Sequence, residues 1–333
     1  MKILITPPDN RTFSRYFPVE VLERLKDFGE VERNPFDRSF TAEELRGRAA
    51  GADILLTHWG TPRIDGSILE NARRLRLVAH AAGSVAGVAS EELYRRDIPV
   101  ISANSVMARY VAESVLGYMI AGTHRFIQTD AILRSGGWNK LEDRQSSIFG
   151  ARIGLIGLGT VGRALLDLLA PFGCRVYIYD PYLPRDALGK WDFAQLCDFE
   201  TAMKNPIVSV HASRTPETCR MIGREALALL PFGALLINSA RGSIIDTGAL
   251  LDALREKRIY AVLDVYEKEG AGNIGKELPE MTEVTMLQPH AAAVAAGARM
   301  TFAVAEDIGR FVRGEELRLR VSYSQFRLMT REC

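Results

Sequence analysis

The chain has 333 residues, 47% of them hydrophobic and 25% charged, a globular profile long enough for two domains that each bury a core. Lys and Arg number 42 against 41 Asp and Glu, a net charge of +1, so charge draws the protein neither to nucleic acid nor to an anionic membrane. No apolar stretch reaches the ~18 residues of a membrane span, and the opening MKILITPPDN reads as strand and loop rather than signal peptide, so a cytoplasmic protein is expected.

Residues 2–6 predict a first strand and 18–28 a helix closed by Gly29. A second strand follows at 31–35, then a helix at 41–50 that opens with a Thr41/Glu44 capping box. Strands at 52–58, 75–80 and 99–102, with a helix near 67–72, complete an alternation that implies a small doubly wound parallel sheet. Residues 108–127 have the apolar spacing of one long helix, broken afterwards at Gly136-Gly137-Trp138. Strand 152–156, helix 161–170 and strand 175–179 come next, the helix ended by Pro171 and Gly173. The alternation continues with strands at 207–212, 234–238, 260–265 and 284–287 and helices at 224–230 and 247–256. A last helix, 299–312, follows a finished sheet and is expected to return to the first domain, so that the second domain is inserted into the first.

Between the strands at 152–156 and 175–179 stands Gly157-Leu158-Gly159-Thr160-Val161-Gly162. Gly157 suits the tight turn, Gly159 lets a pyrophosphate approach the backbone, and Gly162 lets helix and strand pack closely. The helix N-terminus offers N–H groups and a positive dipole end to the phosphates. Asp180, 18 residues beyond Gly162, can accept both ribose hydroxyls and would repel a 2′-phosphate, so NAD is expected over NADP. A glycine-rich turn alone is weak, but strand, helix and acid in this order make a dinucleotide site.

Ligands in open parallel sheets lie beyond the carboxyl ends of the strands, which directs attention to Arg241, Asp264, Glu267, Glu269 and His290. An arginine can clamp a carboxylate and polarise a keto oxygen. A histidine titrating near neutrality can give a proton to the developing alkoxide, and a carboxylate bonded to it keeps it protonated. Each has a plainer reading: a strand-end arginine is usually a surface ion pair, and acids after a strand usually a solvated loop. His58, His80, His124 and His211 read as structural or cofactor-adjacent. His290 stands apart because Pro289 precedes it and the small Ala291, Ala292 and Ala293 follow, leaving room for a cofactor against the backbone. Cys174, Cys197, Cys219 and Cys333 lack metal-site spacing, so free thiols and no metal are expected.

In order, GLGTVG, YD, VHASRTPETCRMIG, LLINSARGSIIDTGALLDAL, AVLDVYEKE and PH resemble the D-isomer-specific 2-hydroxyacid dehydrogenases, the group that includes phosphoglycerate dehydrogenase and glycerate/hydroxypyruvate reductase. The resemblance is dense over about residues 104–293. It implies a Rossmann NAD-binding domain, 104–295, inserted into a flavodoxin-like substrate domain, 1–103 and 296–333, and a homodimer. It makes Arg241 the substrate arginine and Glu269 the partner of an acid/base His290. It also implies that Asp264 is the aspartate near the nicotinamide amide. Thr160, Val161, Asp180, Ala212, Ser239, Ala240, Arg241, His290 and Ala291 to Ala293 fall on the family's NAD contacts, and Ala82, Gly83, Ser84 and Val85 on the loop that holds the substrate carboxylate. The sequence departs from the common pattern at Ser84-Val85-Ala86-Gly87, at the alanines after His290 and at Gly270. With the sequence ending at residue 333, no further regulatory module is expected.

The function expected is therefore an NAD-dependent oxidoreductase acting on the CH–OH of a small D-2-hydroxy acid, or on the matching 2-keto acid. Glu269 argues against the formate dehydrogenases of this fold, which pair the histidine with glutamine. The alternative from another class is an NAD(H)-sensing, corepressor-like binding protein without significant turnover.

Overall fold

The structure is a computed structural model that describes residues 1–138, 145–184, 186–268 and 273–329. Its contacts divide the chain into two compact units: residues 1–108 with the described residues from 293 onward, and residues 109–292. The first division point falls slightly past residue 104 because the helix Asn104–Thr123 runs through it.

The first unit holds β1 (Lys2–Ile5), β2 (Glu30–Arg33), β3 (Ile54–Thr57), β4 (Leu77–His80) and β5 (Val100–Ser102) in one sheet of order β2-β1-β3-β4-β5. All pairings are parallel, and β3 and β4 are buried throughout, as strands covered on both faces must be. This is the flavodoxin-type doubly wound order. The expected capping box opens the helix Ala42–Ala49: Glu44 N donates to Thr41 Oγ1 at 3.2 Å and Thr41 N to Glu44 Oε2 at 2.8 Å.

The helix Ala298–Val312 packs in this unit, burying Met300, Val304, Ala305 and Ile308 at helical spacing, and its Thr301 hydroxyl donates to Tyr16 O. Beyond it, the buried Asp307 carboxylate accepts from Arg318 N and Leu319 N, both at 2.9 Å. That pair of bonds lays the returning chain along β5, where Ser102 N reaches Leu319 O and Val321 N reaches Val100 O.

The second unit holds β6 (Arg152–Ile156), β7 (Arg175–Tyr179), β8 (Ala194–Leu196), β9 (Ile207–Val210), β10 (Ala234–Asn238), β11 (Ile259–Leu263) and β12 (Thr285–Leu287). They pair in the order β12-β11-β10-β9-β6-β7-β8, all parallel. Counted within the unit this is the dinucleotide-binding order, with one added strand. Helix Thr160–Leu169 buries Gly162, Leu165, Leu166 and Leu169, one apolar stripe laid on the sheet.

Two expectations are corrected. The single helix at 108–127 is two helices, Asn104–Thr123 and Phe126–Arg134. The break is Arg125, which takes a left-handed conformation (φ 54°), places its guanidinium 4.1 Å from the Tyr260 ring and donates to Gly233 O at 3.2 Å. Anchoring that side chain on the sheet outweighs helical continuity. Cys174 and Cys197 are free, but Cys219 is disulfide-bonded, against the expectation of four free thiols. A bridge requires only Cα atoms about 4.4–6.8 Å apart, which the fold sets and sequence spacing does not. Among the described residues no helix is long and apolar enough to cross a membrane.

Candidate active site

The polar residues singled out in the second unit stand at the carboxyl ends of neighbouring strands. In sheet order they are His290 beyond β12, Asp264 beyond β11, Ser239 to Arg241 beyond β10, Ala212 beyond β9, the glycine turn beyond β6 and Asp180 beyond β7. Five interstrand steps of about 4.8 Å make this row roughly 24 Å long, the scale of an extended dinucleotide.

At the β6 end, Gly157 has φ +92° and its N–H donates to Tyr179 O at 2.8 Å. A Cβ there would stand 2.7 Å from Ala212 N, so the position requires glycine for both conformation and space. Gly159 precedes Thr160 and Val161 at the start of the helix Thr160–Leu169, and a Cβ built on it meets nothing within 4 Å, so the approach to the helix N-terminus is open. At Gly162 a Cβ would press on Gly157 O at 3.2 Å. Asp180 Oδ2 accepts from Leu158 N at 2.9 Å and Oδ1 from Tyr182 N at 3.0 Å. Each oxygen keeps a lone pair for a hydroxyl donor. Ser239 Oγ is buried without a hydrogen-bond partner among the described residues. An open helix start, a preset acid and an orphaned hydroxyl fit a dinucleotide.

Asn238, which ends β10, builds the next part of the row. It is 1% exposed, its Nδ2 donates to Arg241 O at 3.0 Å, and its Oδ1 accepts from Ala240 N at 3.1 Å. Its carbonyl accepts from Asp264 N at 2.9 Å, while Asp264 O accepts from His290 N at 3.1 Å. Backbone bonds thus tie the ends of β10, β11 and β12 together. Arg241 Nη1 donates to Ala240 O at 2.6 Å. At Gly242 a Cβ would fall 1.9 Å from the carbonyl carbon of Tyr266, so the loops after β10 and β11 touch backbone to backbone.

Asp264 is 3% exposed and its Oδ1 accepts from the Tyr118 hydroxyl at 3.0 Å. Burial first, and the neighbouring carboxylate second, raise the Tyr118 phenol above its usual range, so it remains a donor. Tyr118 was not singled out from the sequence, and Asn238 stood out there only as part of a strand end. His290 has φ 54°, a left-handed conformation uncommon for a residue with a Cβ and characteristic of functional sites. Ala291, Ala292 and Ala293 begin the helix Ala291–Ala296. Glu269 lies outside the described residues.

The loop Ala82-Gly83-Ser84-Val85 belongs to the first unit, where it follows β4. Ser102 Oγ donates to the carbonyls of Ala82, at 3.2 Å, and Gly83, at 2.5 Å, which turns those carbonyls inward. Among the described residues the N–H groups of Gly83, Ser84 and Val85 have no protein acceptor. The remaining histidines have structural surroundings. His211 pairs with Ser209 Oγ at 2.9 Å, His80 Nδ1 with Thr57 Oγ1 at 2.9 Å, and His124 stacks on Phe126.

Comparison with known proteins places this arrangement. The family model described as "D-isomer specific 2-hydroxyacid dehydrogenase, NAD binding domain" matches residues 116–292, more than half of the chain and within the unit that carries the row. A D-3-phosphoglycerate dehydrogenase of Methanocaldococcus jannaschii is 31% identical over 320 residues, 95% of this chain and 58% of that protein, so this chain spans little more than half of its length. A glyoxylate reductase of Thermococcus litoralis is 31% identical over 313 residues, 91% of this chain and 93% of that protein. A solved structure from Thermus thermophilus aligns with TM-score 0.75 at 28% identity, covering 97% of this chain and 100% of that one. With a parallel doubly wound sheet, a glycine turn and strand-end acid in one matched unit, the chain belongs to the D-isomer specific 2-hydroxyacid dehydrogenase family.

Proposed function

We propose that the protein is an NAD-dependent oxidoreductase of a small D-2-hydroxy acid and its 2-oxo counterpart. The observation that carries this reading is the row of strand-end groups from Asp180 to His290 along one parallel sheet. In it the start of the helix Thr160–Leu169 would take the pyrophosphate, Asp180 the ribose hydroxyls and Asp264 the carboxamide. NADH, when bound, supplies the hydride that adds to the carbonyl carbon of the oxo acid. Arg241 holds the substrate carboxylate and polarises the keto oxygen. As the C–H bond forms, the carbonyl π pair moves to that oxygen, which takes a proton from His290 and becomes the hydroxyl; the reverse direction returns the proton to His290. Glu269 is assigned as the group that orients His290. The N–H groups of Gly83, Ser84 and Val85 are assigned to the substrate carboxylate, and their lack of a protein acceptor supports that role. A homodimer belongs to the same reading, supported by exposed Phe126, Ile127 and Leu133 on the helix Phe126–Arg134 and exposed Trp138 after it.

The test is oxidation of NADH and NADPH with glyoxylate, hydroxypyruvate, pyruvate, phosphohydroxypyruvate and branched 2-oxo acids. Turnover with at least one and a preference for NADH are expected, and Asp180→Ala should erode that preference about tenfold, near 1.4 kcal/mol. Tight NADH binding without turnover on any acid would instead favour an NAD(H)-sensing protein. A wild type that prefers NADPH would contradict the role given to Asp180.

A further inference from the structure

The backbone of His290 stands at φ 54°, a conformation that the chain around it must hold. One fixed point is its own N–H, which donates to Asp264 O at 3.1 Å. Pro289, directly before it, has no N–H to give and a ring-locked φ, so the next point at which the chain is held is Gln288. Gln288 N donates to Leu263 O at 2.8 Å, just past the paired residues of β11 and β12. Gln288 O, the carbonyl of the peptide that enters Pro289, accepts from the Tyr266 hydroxyl at 2.9 Å, and the same hydroxyl donates to Leu263 O at 3.1 Å. One O–H thus makes a three-centre bond across the exits of β11 and β12.

The rest of Tyr266 has a separate task. Its backbone lies against Gly242, where an added Cβ would fall 1.9 Å from the Tyr266 carbonyl carbon. Its half-buried side chain packs on the core cluster that includes Leu236, Ile244 and Leu263. Burial above all raises the phenol beyond its usual range, so the hydroxyl stays protonated and remains a donor.

We propose that Tyr266 is a positioning residue for the proton transfer: its hydroxyl, fixed on Gln288 O, holds Pro289 and the left-handed His290 in the orientation from which the imidazole gives its proton. The inference rests on the dehydrogenase reading and deepens it. Glu269 is assigned to the ring of His290, and Tyr266 to the backbone that carries the ring. Two held points, Gln288 O and His290 N, bracket a proline that cannot turn about its own φ. Without the first, the peptide plane ahead of Pro289 can rotate, and His290 is freer to relax from the left-handed region to one that a residue with a Cβ prefers. Proton transfer requires hydrogen-bond reach, and a displacement of about 1 Å can cost as much as 10²-fold.

Tyr266→Phe removes the hydroxyl and keeps the ring, its packing and the backbone contact with Gly242. The experiment measures single-turnover reduction of the best oxo acid at saturating NADH in wild type, Tyr266→Phe, His290→Ala and the double variant. Each rate is taken per NADH-binding site, so that a smaller folded fraction does not pass for a slower step. Tyr266→Phe should slow the step by ~10 to 10²-fold where His290 is present. In the His290→Ala background it should slow it by less than about twofold, because a residue that acts through the imidazole has nothing to place once the imidazole is gone. An unchanged rate in Tyr266→Phe, or the same loss with and without His290, overturns the positioning role and leaves the dehydrogenase reading standing. Wild type without turnover on any acid of the panel overturns the dehydrogenase reading, and the role of Tyr266 with it.

Discussion

Asp264 and Tyr118 show what single residues contribute. A carboxylate 3% exposed needs donors, and the Tyr118 hydroxyl supplies one from a residue 146 positions away in sequence. Hydrogen bonds to a charged group contribute about 1.5–3 kcal/mol, so Tyr118→Phe should raise KM for NADH about tenfold or more, with kcat changed much less. An equal fall in kcat at constant KM, measured by steady-state NADH oxidation, would show that Tyr118 does not act through cofactor placement. The sequence did not reveal this partnership, because within an apolar helix a tyrosine reads as core and only the fold says what its hydroxyl meets. Asp180 was legible for the opposite reason. Its role depends on local order, strand then acid at a fixed distance from a glycine turn, and the structure puts it against Leu158 N of that turn. Asn238 lay between these cases: its place at a strand end was visible, but its two bonds to the Ala240–Arg241 backbone were not.

At the scale of elements, β6, β7 and β10 have the residue bounds their apolar runs predict. The pieces missed were short or ordinary in composition. β8 is Ala194–Leu196 without a β-branched residue, and the helices Glu91–Arg95 and Phe199–Met203 are five residues each, too brief for periodicity to register. The strand ends also collect histidines: the buried His80 closes β4, the buried His58 follows β3 and the half-buried His211 follows β9. Burial lowers His58 and His211 to about 4 and His80 to about 3. The unfolded chain takes up these protons near pH 6.5 and the folded one does not, so stability must fall as pH drops from about 6.5 toward 4. Within that window each histidine contributes on the order of 1 kcal/mol per pH unit. Denaturant unfolding at pH 7 and pH 5 should show the loss, and His80→Asn should flatten the slope. A slope unchanged in that variant would mean His80 is protonated in the folded protein.

For the whole molecule, the class of architecture was readable because alternation of strands and helices forces parallel sheets with covered faces. Return of the helix Ala298–Val312 to the first unit was also foreseeable, since it follows a completed sheet. The path after it was not: residues 318–321 lie along β5 because the buried Asp307 accepts two backbone N–H groups there, a contact that no periodicity announces. The Cys219 disulfide belongs to the same class of long-range fact. What the two units are proposed to accomplish depends on His290 as the proton donor to an oxo acid reduced by NADH. The most direct measurement is single-turnover reduction of the best oxo acid by NADH in His290→Ala, together with the NADH dissociation constant. The rate at saturating NADH should fall by ~10² to 10⁴; a variant that reduces the acid at the wild-type rate would contradict the assignment.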